Sequence, residues 1–301
     1  MPLCKRDNKK EEKQLKRQTK KAVSFLLCVI VLCSSFTLLS SASSKSTAFP
    51  PGSSSVAIYM DGARVLEGRS ALINSVTYVA IRDFAHLADA GEVSWNAYTR
   101  TAYLTKGSRQ VSAADGNYYI NADGRYFYTV EPIRIIGGTM YVPIRPIAKA
   151  FGIEVGWDNS ARAVTLTKTG KLPASASSFY NANDLYWLSR IISSEAKGES
   201  LKGQIAVGNV VLNRKASPSY PNTIYGVIFD KKGGTQFSPV SFGTIYDSPT
   251  ASSVIAAKIC LEGYSLSNKI LFFMNPRIAT SNWISKNRTF EFRIGNHDFY
   301  S

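Results

Sequence analysis

One motif is written twice in this chain. Tyr78-Val79-Ala80-Ile81-Arg82 returns as Tyr141-Val142-Pro143-Ile144-Arg145, and Glu92-Val93-Ser94-Trp95-Asn96 returns as Glu154-Val155-Gly156-Trp157-Asp158. Each copy closes on an arginine and an alternating strand, Arg100 to Thr105 and Arg162 to Thr167. Each has a tight-turn pair upstream, Asp61-Gly62 and Asp123-Gly124. An Asp-Gly pair between alternating segments predicts a hairpin. Each copy is therefore expected to run hairpin, strand, short helix, two-stranded hairpin. One such unit buries too little surface to stand alone, so the copies over residues 56–168 are expected to pack as one small α+β domain. Trp95, Trp157 and the tyrosines read as core residues of that domain ahead of a carbohydrate platform.

The second constraint is a helical stripe that ends on an acid. Within Asn183 to Gly203, Leu185, Leu188, Ile191 and Ile192 recur at helical spacing behind Asp184, a natural N-cap. One turn further, the same face presents Glu195. Gly198 is expected to end this helix and Ser200 to cap the next. A carboxyl group placed there is desolvated and faces the negative end of the helix dipole, and both raise its pKa. An acid kept protonated near neutral pH is what general-acid cleavage of a glycosidic bond requires. The competing reading is a frayed helix end with Glu195 in water.

A chain of 301 residues holds two ordinary domains. Its net charge of +15 is concentrated at the start: residues 1–49 carry ten Lys and Arg against three Asp and Glu, leaving about +8 for the rest. That rest has no basic stripe with interleaved aromatics, so nucleic acid is not an expected partner. A mild positive charge suits an anionic polymer or surface. Cys260 is the one cysteine of the folded part and reads as a core thiol in V-I-A-A-K-I-C-L, not a nucleophile. Two histidines, His86 and His297, with no H-E-x-x-H or C-x-x-C, predict no metal site, and no cofactor is expected.

In chain order, a basic head at 5–21 precedes the uncharged run Ala22 to Leu39, with Ser40-Ser41-Ala42 as a candidate cleavage site. This predicts export with the head inside, through either a signal peptide or a membrane anchor over 22–42. Residues 43–55 read as a tether, 56–168 as the repeat domain, 169–183 as a linker, and 184–301 as a mainly helical domain with small β elements. The piece 180–301 is expected to fold and act alone. Leu201 to Arg214 reads as a helix whose Gly203, Ala206 and Gly208 admit a close neighbour. Ser248-Pro249 reads as the start of another, ended by Gly263.

Two resemblances attach to these residues. The pattern Y-V-x-I-R…A…V-x-W-(N/D) across 56–168 resembles the repeat module named for the N-terminal domain of copper amine oxidases. The resemblance implies a non-catalytic envelope module for binding or spacing; no copper ligands stand here, His86 being the region's one histidine. S-E-A-K-G-E-S-x-x-G-Q-I-A-V-G-N-V-V-L-N-R (194–214) is similar to the opening motif of the SleB-type spore cortex-lytic, cell-wall hydrolases. Tyr220-Pro221-Asn222-Thr223, Gln236-Phe237-Ser238-Pro239-Val240, Phe272-Phe273-Met274-Asn275-Pro276 and Arg293-Ile294-Gly295-Asn296-His297-Asp298 follow in family order. This likeness implies a lysozyme-like catalytic fold that cleaves peptidoglycan glycan strands, with Glu195 at the catalytic glutamate. Lys197 and Met274 depart from the family's usual residues.

The other acids, Glu199, Asp230, Asp247, Glu262, Glu291 and Asp298, lack the stripe placement of Glu195, and Glu199 reads as a solvated or helix-capping charge. Two-acid hydrolysis needs a partner carboxylate, whereas a lytic transglycosylase needs one acid that turns base while the sugar's own 6-hydroxyl closes an anhydro ring. Single-acid chemistry is the expectation. Gln236, Ser238, Asn275 and His297 are candidate substrate-binding residues, with structural hydrogen bonding as the alternative, and Phe237 is a candidate for stacking on a sugar face. His297-Asp298 lacks a G-x-S-x-G partner and is not read as a relay pair. The competing functions are a catalytically inactive peptidoglycan-binding envelope protein and an amidase or peptidase. No regulatory protein partner is identified.

Overall fold

The computed structural model describes residues 49–232 and 234–301. The basic head, the run Ala22 to Leu39 and the candidate cleavage site at Ala42 lie outside them. No helix among the described residues is long and apolar enough to cross a membrane. The described residues form one compact unit.

The repeat is built as two interlocked copies. The first runs β1 (Ala57–Met60), β2 (Ala63–Val65), β3 (Ser70–Ile73), β4 (Val76–Ala80), α1 (Ile81–Leu87), β5 (Ser94–Asn96) and β6 (Thr101–Lys106). After β7 (Arg109–Ala114) the second runs β8 (Tyr119–Ala122), β9 (Arg125–Tyr128), β10 (Arg134–Ile136), β11 (Thr139–Pro143), α2 (Ile144–Ala150), β12 (Ile153–Asp158) and β13 (Ala163–Lys168). Asp61 and Asp123 take positive φ of 50° and 49° before glycines at 82° and 80°, the geometry that the Asp-Gly hairpin turns require. The strand expected at Tyr78 has a partner that was not anticipated: β3 folds back on β4 as a second hairpin.

The copies exchange strands rather than stack. β4 and β11 pair antiparallel with Val79 opposite Val142, so the duplicated motif meets itself at the centre. The first strand of copy one runs parallel to the last of copy two, Ile58 opposite Val164. Val79, Val142, Phe84, Ile147, Leu104 and Leu166 share one core. Tyr78 and Tyr141 are buried as expected, and the Tyr78 hydroxyl donates to the Pro132 carbonyl at 2.6 Å. The tryptophans are not core residues: Trp95 is 43 % and Trp157 46 % exposed. Each lies on an outer strand, β5 or β12, where one edge has no neighbour to cover an indole.

The second half is helical with a small sheet. Its elements are α3 (Ala176–Phe179), α4 (Ala182–Ala196), α5 (Leu201–Ala216), α6 (Ile224–Ile228), α7 (Ser238–Phe242), a 3-10 turn (Thr244–Tyr246), α8 (Ala251–Leu261), β14 (Phe272–Met274), α9 (Trp283–Asn287), β15 (Phe290–Ile294) and β16 (His297–Tyr300). Together the two halves make an α+β chain. Helix α4 begins three residues earlier than the Asp184 reading: Asn181 caps it by accepting from the Asp184 N–H at 3.0 Å. Asp184 thus sits in the first turn, where its charge faces the positive helix end. Helix α8 starts after Thr250, whose hydroxyl accepts from Ser253 N–H at 3.2 Å, not at Ser248-Pro249. Ser200 caps α5 as expected. Helices α4, α5 and α8 pack mutually. Gly208 makes this possible, since a Cβ there would lie 2.6 Å from Cys260 Sγ and 2.9 Å from Ile192 Cδ1. Cys260 is a buried core thiol whose pKa burial drives well above its ordinary value.

Helix α8 also faces strand β9 of the repeat. Glu262, at its end, accepts from Arg125 Nε and a terminal nitrogen at 2.7 Å each, and from the Tyr180 hydroxyl at 2.8 Å. Both charged side chains are almost fully covered. Phe179 lies over the Arg125 guanidinium at 3.6 Å, and Lys258 Nζ donates to the Gly124 carbonyl at 3.0 Å. The stretch 169–183, linker-like in composition, thus contributes side chains to the contact between repeat and helices.

Candidate active site

Glu195 stands where the stripe puts it. Leu188, Ile191, Ile192 and Ala196 of α4 are buried in the helical core, and Glu195, one turn beyond Ile191, is half-buried on the same face. Desolvation pushes its carboxyl up to about 7. The last turn is pinned on both sides of the chain. Ser194 Oγ donates to the Thr244 carbonyl at 3.0 Å, and Ser193 Oγ accepts from the Thr250 N–H at 3.2 Å. Helix α4 also touches α7 and the 3-10 turn, so segments around Ser238 and Thr244 flank the end that carries Glu195.

Glu199 is not solvated. Its side chain is 9 % exposed and is folded beneath the turn between β15 and β16. It accepts from Asn296 Nδ2 at 2.8 Å and from the Asn296 N–H at 3.3 Å. A Cβ on Gly295, which has φ of +58°, would fall 1.8 Å from Glu199 Oε2, so only glycine lets the carboxylate approach. Both carboxylate oxygens face the hairpin.

The other named residues separate into different environments. His297 is buried, with Nδ1 3.9 Å from Glu199 Oε1 and no hydrogen-bond partner. Burial lowers its pKa, against the pull of Glu199 and Asp298, and the ring sits edge-on to Phe273 at 5.4 Å. Asp298 is occupied by Arg293 at 2.5 and 2.8 Å, which holds its carboxyl below the usual carboxylate range. Phe237 is 3 % exposed and packs in the core beside Phe273, so it offers no face to a sugar. This overturns its reading as a stacking platform. Gln236 donates to the Lys232 and Gly234 carbonyls and accepts from Arg214 at 3.4 Å. Asn275 closes its own turn by accepting from Arg277 N–H at 3.0 Å, while Ser238 is exposed at the start of α7.

Arg214 was missed. It is buried at the end of α5, desolvation lowers its pKa, and its Nε donates to the Leu271 carbonyl at 2.7 Å. Its guanidinium lies over Tyr220, Phe237 and Phe272 at 5.1 to 5.4 Å. It ties the strand carrying Phe273 to the loop carrying Gln236. The rule that found Glu195 would have found it, because Arg214 continues the stripe Val207, Val210 and Val211.

This fold and site define a class: a helical domain with a desolvated glutamate that has no salt-bridge partner among the described residues at one helix end, attached to a duplicated β-rich module. Residues 198–300 match the cell wall hydrolase family, and residues 59–166 match the copper amine oxidase N-terminal domain. The chain thus carries a SleB-type cell wall hydrolase domain behind a copper amine oxidase N-terminal domain. The spore cortex-lytic enzyme of Bacillus cereus is 36 % identical over 120 residues, which are 40 % of this chain and 45 % of that protein. That of Bacillus subtilis (strain 168) is 37 % identical over 120 residues, again 40 % of this chain and 38 % of the relative. The chain spans less than half the length of these relatives. The catalytic domain of the germination-specific lytic transglycosylase SleB from Bacillus anthracis shares 36 % identity across 40 % of this chain and 97 % of that structure, with a TM-score of 0.37. The family match begins at residue 198, beyond Glu195, whose role rests on its surroundings. Copper does not fit the repeat domain: His86 stands exposed on α1, and among the described residues no three His, Cys, Asp or Glu gather to hold an ion.

Proposed function

We propose that the chain is an envelope enzyme that cleaves the glycan strands of peptidoglycan, with Glu195 as its single general acid and base. The observation that carries this is the carboxyl of Glu195, pushed up to about 7 by burial on an otherwise apolar stripe. Protonated, it donates to the glycosidic oxygen as the bond to the leaving sugar breaks. The resulting carboxylate then takes the proton of the 6-hydroxyl as that oxygen closes on the anomeric carbon. The Bacillus anthracis relative, 36 % identical, is named as a germination-specific lytic transglycosylase. Glu199 is committed to the hairpin through Asn296, which leaves the single-acid route in better accord with the site than a two-carboxylate hydrolysis. Gln236 acts by shaping the wall, its amide being bonded within its own loop, Asn275 and His297, whose Nδ1 has no partner, keep polar atoms for the glycan, and Ser238 is the exposed candidate for sugar contact.

The division of labour follows from the same reading. Residues 184–301 cut, 56–168 hold or space the wall, and the basic head with its apolar run exports or anchors the protein at the cell wall or spore envelope. Product analysis on purified wall tests it. Anhydro-muramyl ends are expected; new reducing ends would mean hydrolysis, and new amino termini would replace the reading with an amidase or peptidase.

A further inference from the structure

The duplicated motif builds two copies of one cleft. In the first, Ile81 and Arg82 open helix α1, and Trp95 on β5 and Val93 just before it face them. In the second, Ile144 and Arg145 open α2, and Val155 and Trp157 face them from β12. Val155 and Trp157 stand two apart on β12, so both point to the same side, and Val93 and Trp95 keep the same spacing at the start of β5.

Each cleft is closed by the other copy. Gly138, Thr139 and Met140, from the β10–β11 hairpin, wall the first; their counterparts Ser75, Val76 and Thr77, from the β3–β4 hairpin, wall the second. The correspondence is residue for residue. Strand exchange through Val79 and Val142 relates the two sites.

Neither cleft is filled by its own side chains. Trp95 and Trp157 are nearly half exposed, while their strand neighbours Val93 and Val155 pack against the core. Arg82 and Arg145 are both exposed, and Arg145 commits one N–H to the Val155 carbonyl at 2.9 Å. The first cleft encloses about 200 Å³, room for part of one ring, and the second about 640 Å³, within the range of small-ligand pockets. The second is larger because Tyr128 and Tyr264 extend it, their rings 4.4 Å apart, and Tyr264 belongs to the helical half.

An exposed indole and an unsaturated guanidinium in one cleft recognise a flat apolar ring face beside an anion. Two such clefts on one shared core suit a ligand that repeats. We propose that both are binding sites for a carboxylate-bearing glycan, the peptidoglycan strand itself, with Trp95 and Trp157 stacking on sugar rings and Arg82 and Arg145 pairing with carboxylates. This deepens the wall-holding role given above and rests on that reading. The second cleft brings the bound strand against Tyr264, beside the cutting domain.

The test is co-sedimentation of the full-length Glu195→Gln protein with purified sacculi stripped of teichoic acid, read before any glycan is released. The readout is therefore independent of what Glu195 does. Binding is expected, with Trp95→Ala and Trp157→Ala each weakening it about tenfold and the double variant by more. Trp157→Phe should retain most of it. Arg82→Gln with Arg145→Gln should abolish preference for sacculi over chitin, a neutral glycan. Circular dichroism melting checks that the variants remain folded. Parent-like binding by a folded double tryptophan variant would overturn the proposal. So would equal binding to chitin by the parent, or binding seen only when teichoic acid is present, which would identify a polyphosphate ligand. A failed product analysis with intact binding would instead remove the catalytic reading and leave these sites standing.

Discussion

Two glutamates stand withdrawn from water at helix ends, Glu195 at the end of α4 and Glu262 at the end of α8, and their surroundings are opposite. Glu262 is covered on every side but meets Arg125 through two bonds of 2.7 Å and Tyr180 at 2.8 Å, with Lys149 3.5 Å away. Glu195 is desolvated without a salt-bridge partner among the described residues, and its carboxyl rises to about 7. A paired buried charge fastens two elements together. An unpaired one stays protonated and so has a proton to give. Burial by itself does not separate structure from chemistry; the partner does.

The largest effect should come from Glu195. Glu195→Gln keeps shape and hydrogen-bonding capacity but supplies no proton, and general acids contribute about 10²- to 10⁴-fold, so release of soluble glycan should drop at least about 100-fold. A variant cutting at near the parental rate would end the assignment. In the parent, activity should decline as pH rises through about 7, where the acid loses its proton.

Glu262 should answer in the other currency, stability. Glu262→Ala strands the buried Arg125, and breaking a buried pair in this way costs about 3 kcal/mol or more. Thermal melting of the full chain reads it. If Glu262→Ala melted like the parent, the contact between the repeat and α8 would not be the fastening that its geometry indicates.

A smaller effect sharpens the contrast. The folded-state pKa of Glu195 lies above its unfolded value, so the protein is favoured while the group is protonated and loses that margin as pH rises through about 7. Glu195→Gln should therefore be more stable than the parent above pH 7, on the order of 1–2 kcal/mol after discounting for partial exposure, and equal to it near pH 4. Paired melts at pH 4 and pH 8.5 decide. A pH-independent difference would place the raised pKa elsewhere.

What could be read beforehand depended on whether the cause was local. Glu195 was legible because a helix repeats every turn, and the apolar residues before it announce its face. Ser200 was legible as a cap for the same reason. Phe237 was misread because its cover, Phe273 and Arg214, arrives from distant segments. Trp95 and Trp157 looked like core residues because strand alternation shows which side a residue is on, not whether anything lies opposite. Both sit on outer strands, a property of sheet order across the two copies. Glu199 was misplaced because its partner, Asn296, lies almost a hundred residues away.

Glu199 therefore gives the smallest and most discriminating prediction. It sits four residues past Glu195 and is as well shielded, yet its oxygens are taken up by Asn296 and lie against Gly295. Glu199→Gln retains an acceptor for the Asn296 side chain and loses only the charge, so melting should change by about 1 kcal/mol. Activity should fall by less than about tenfold, through a slight shift of the hairpin that carries His297, and the pH profile should keep its break near 7. Gly295→Ala should cost more than Glu199→Gln in stability, because a methyl group cannot share the space of the carboxylate. Equal losses of activity from Glu195→Gln and Glu199→Gln, with folding intact in both, would mean two working carboxylates. The single-acid route would then give way to two-acid hydrolysis, with new reducing ends as its chemical signature.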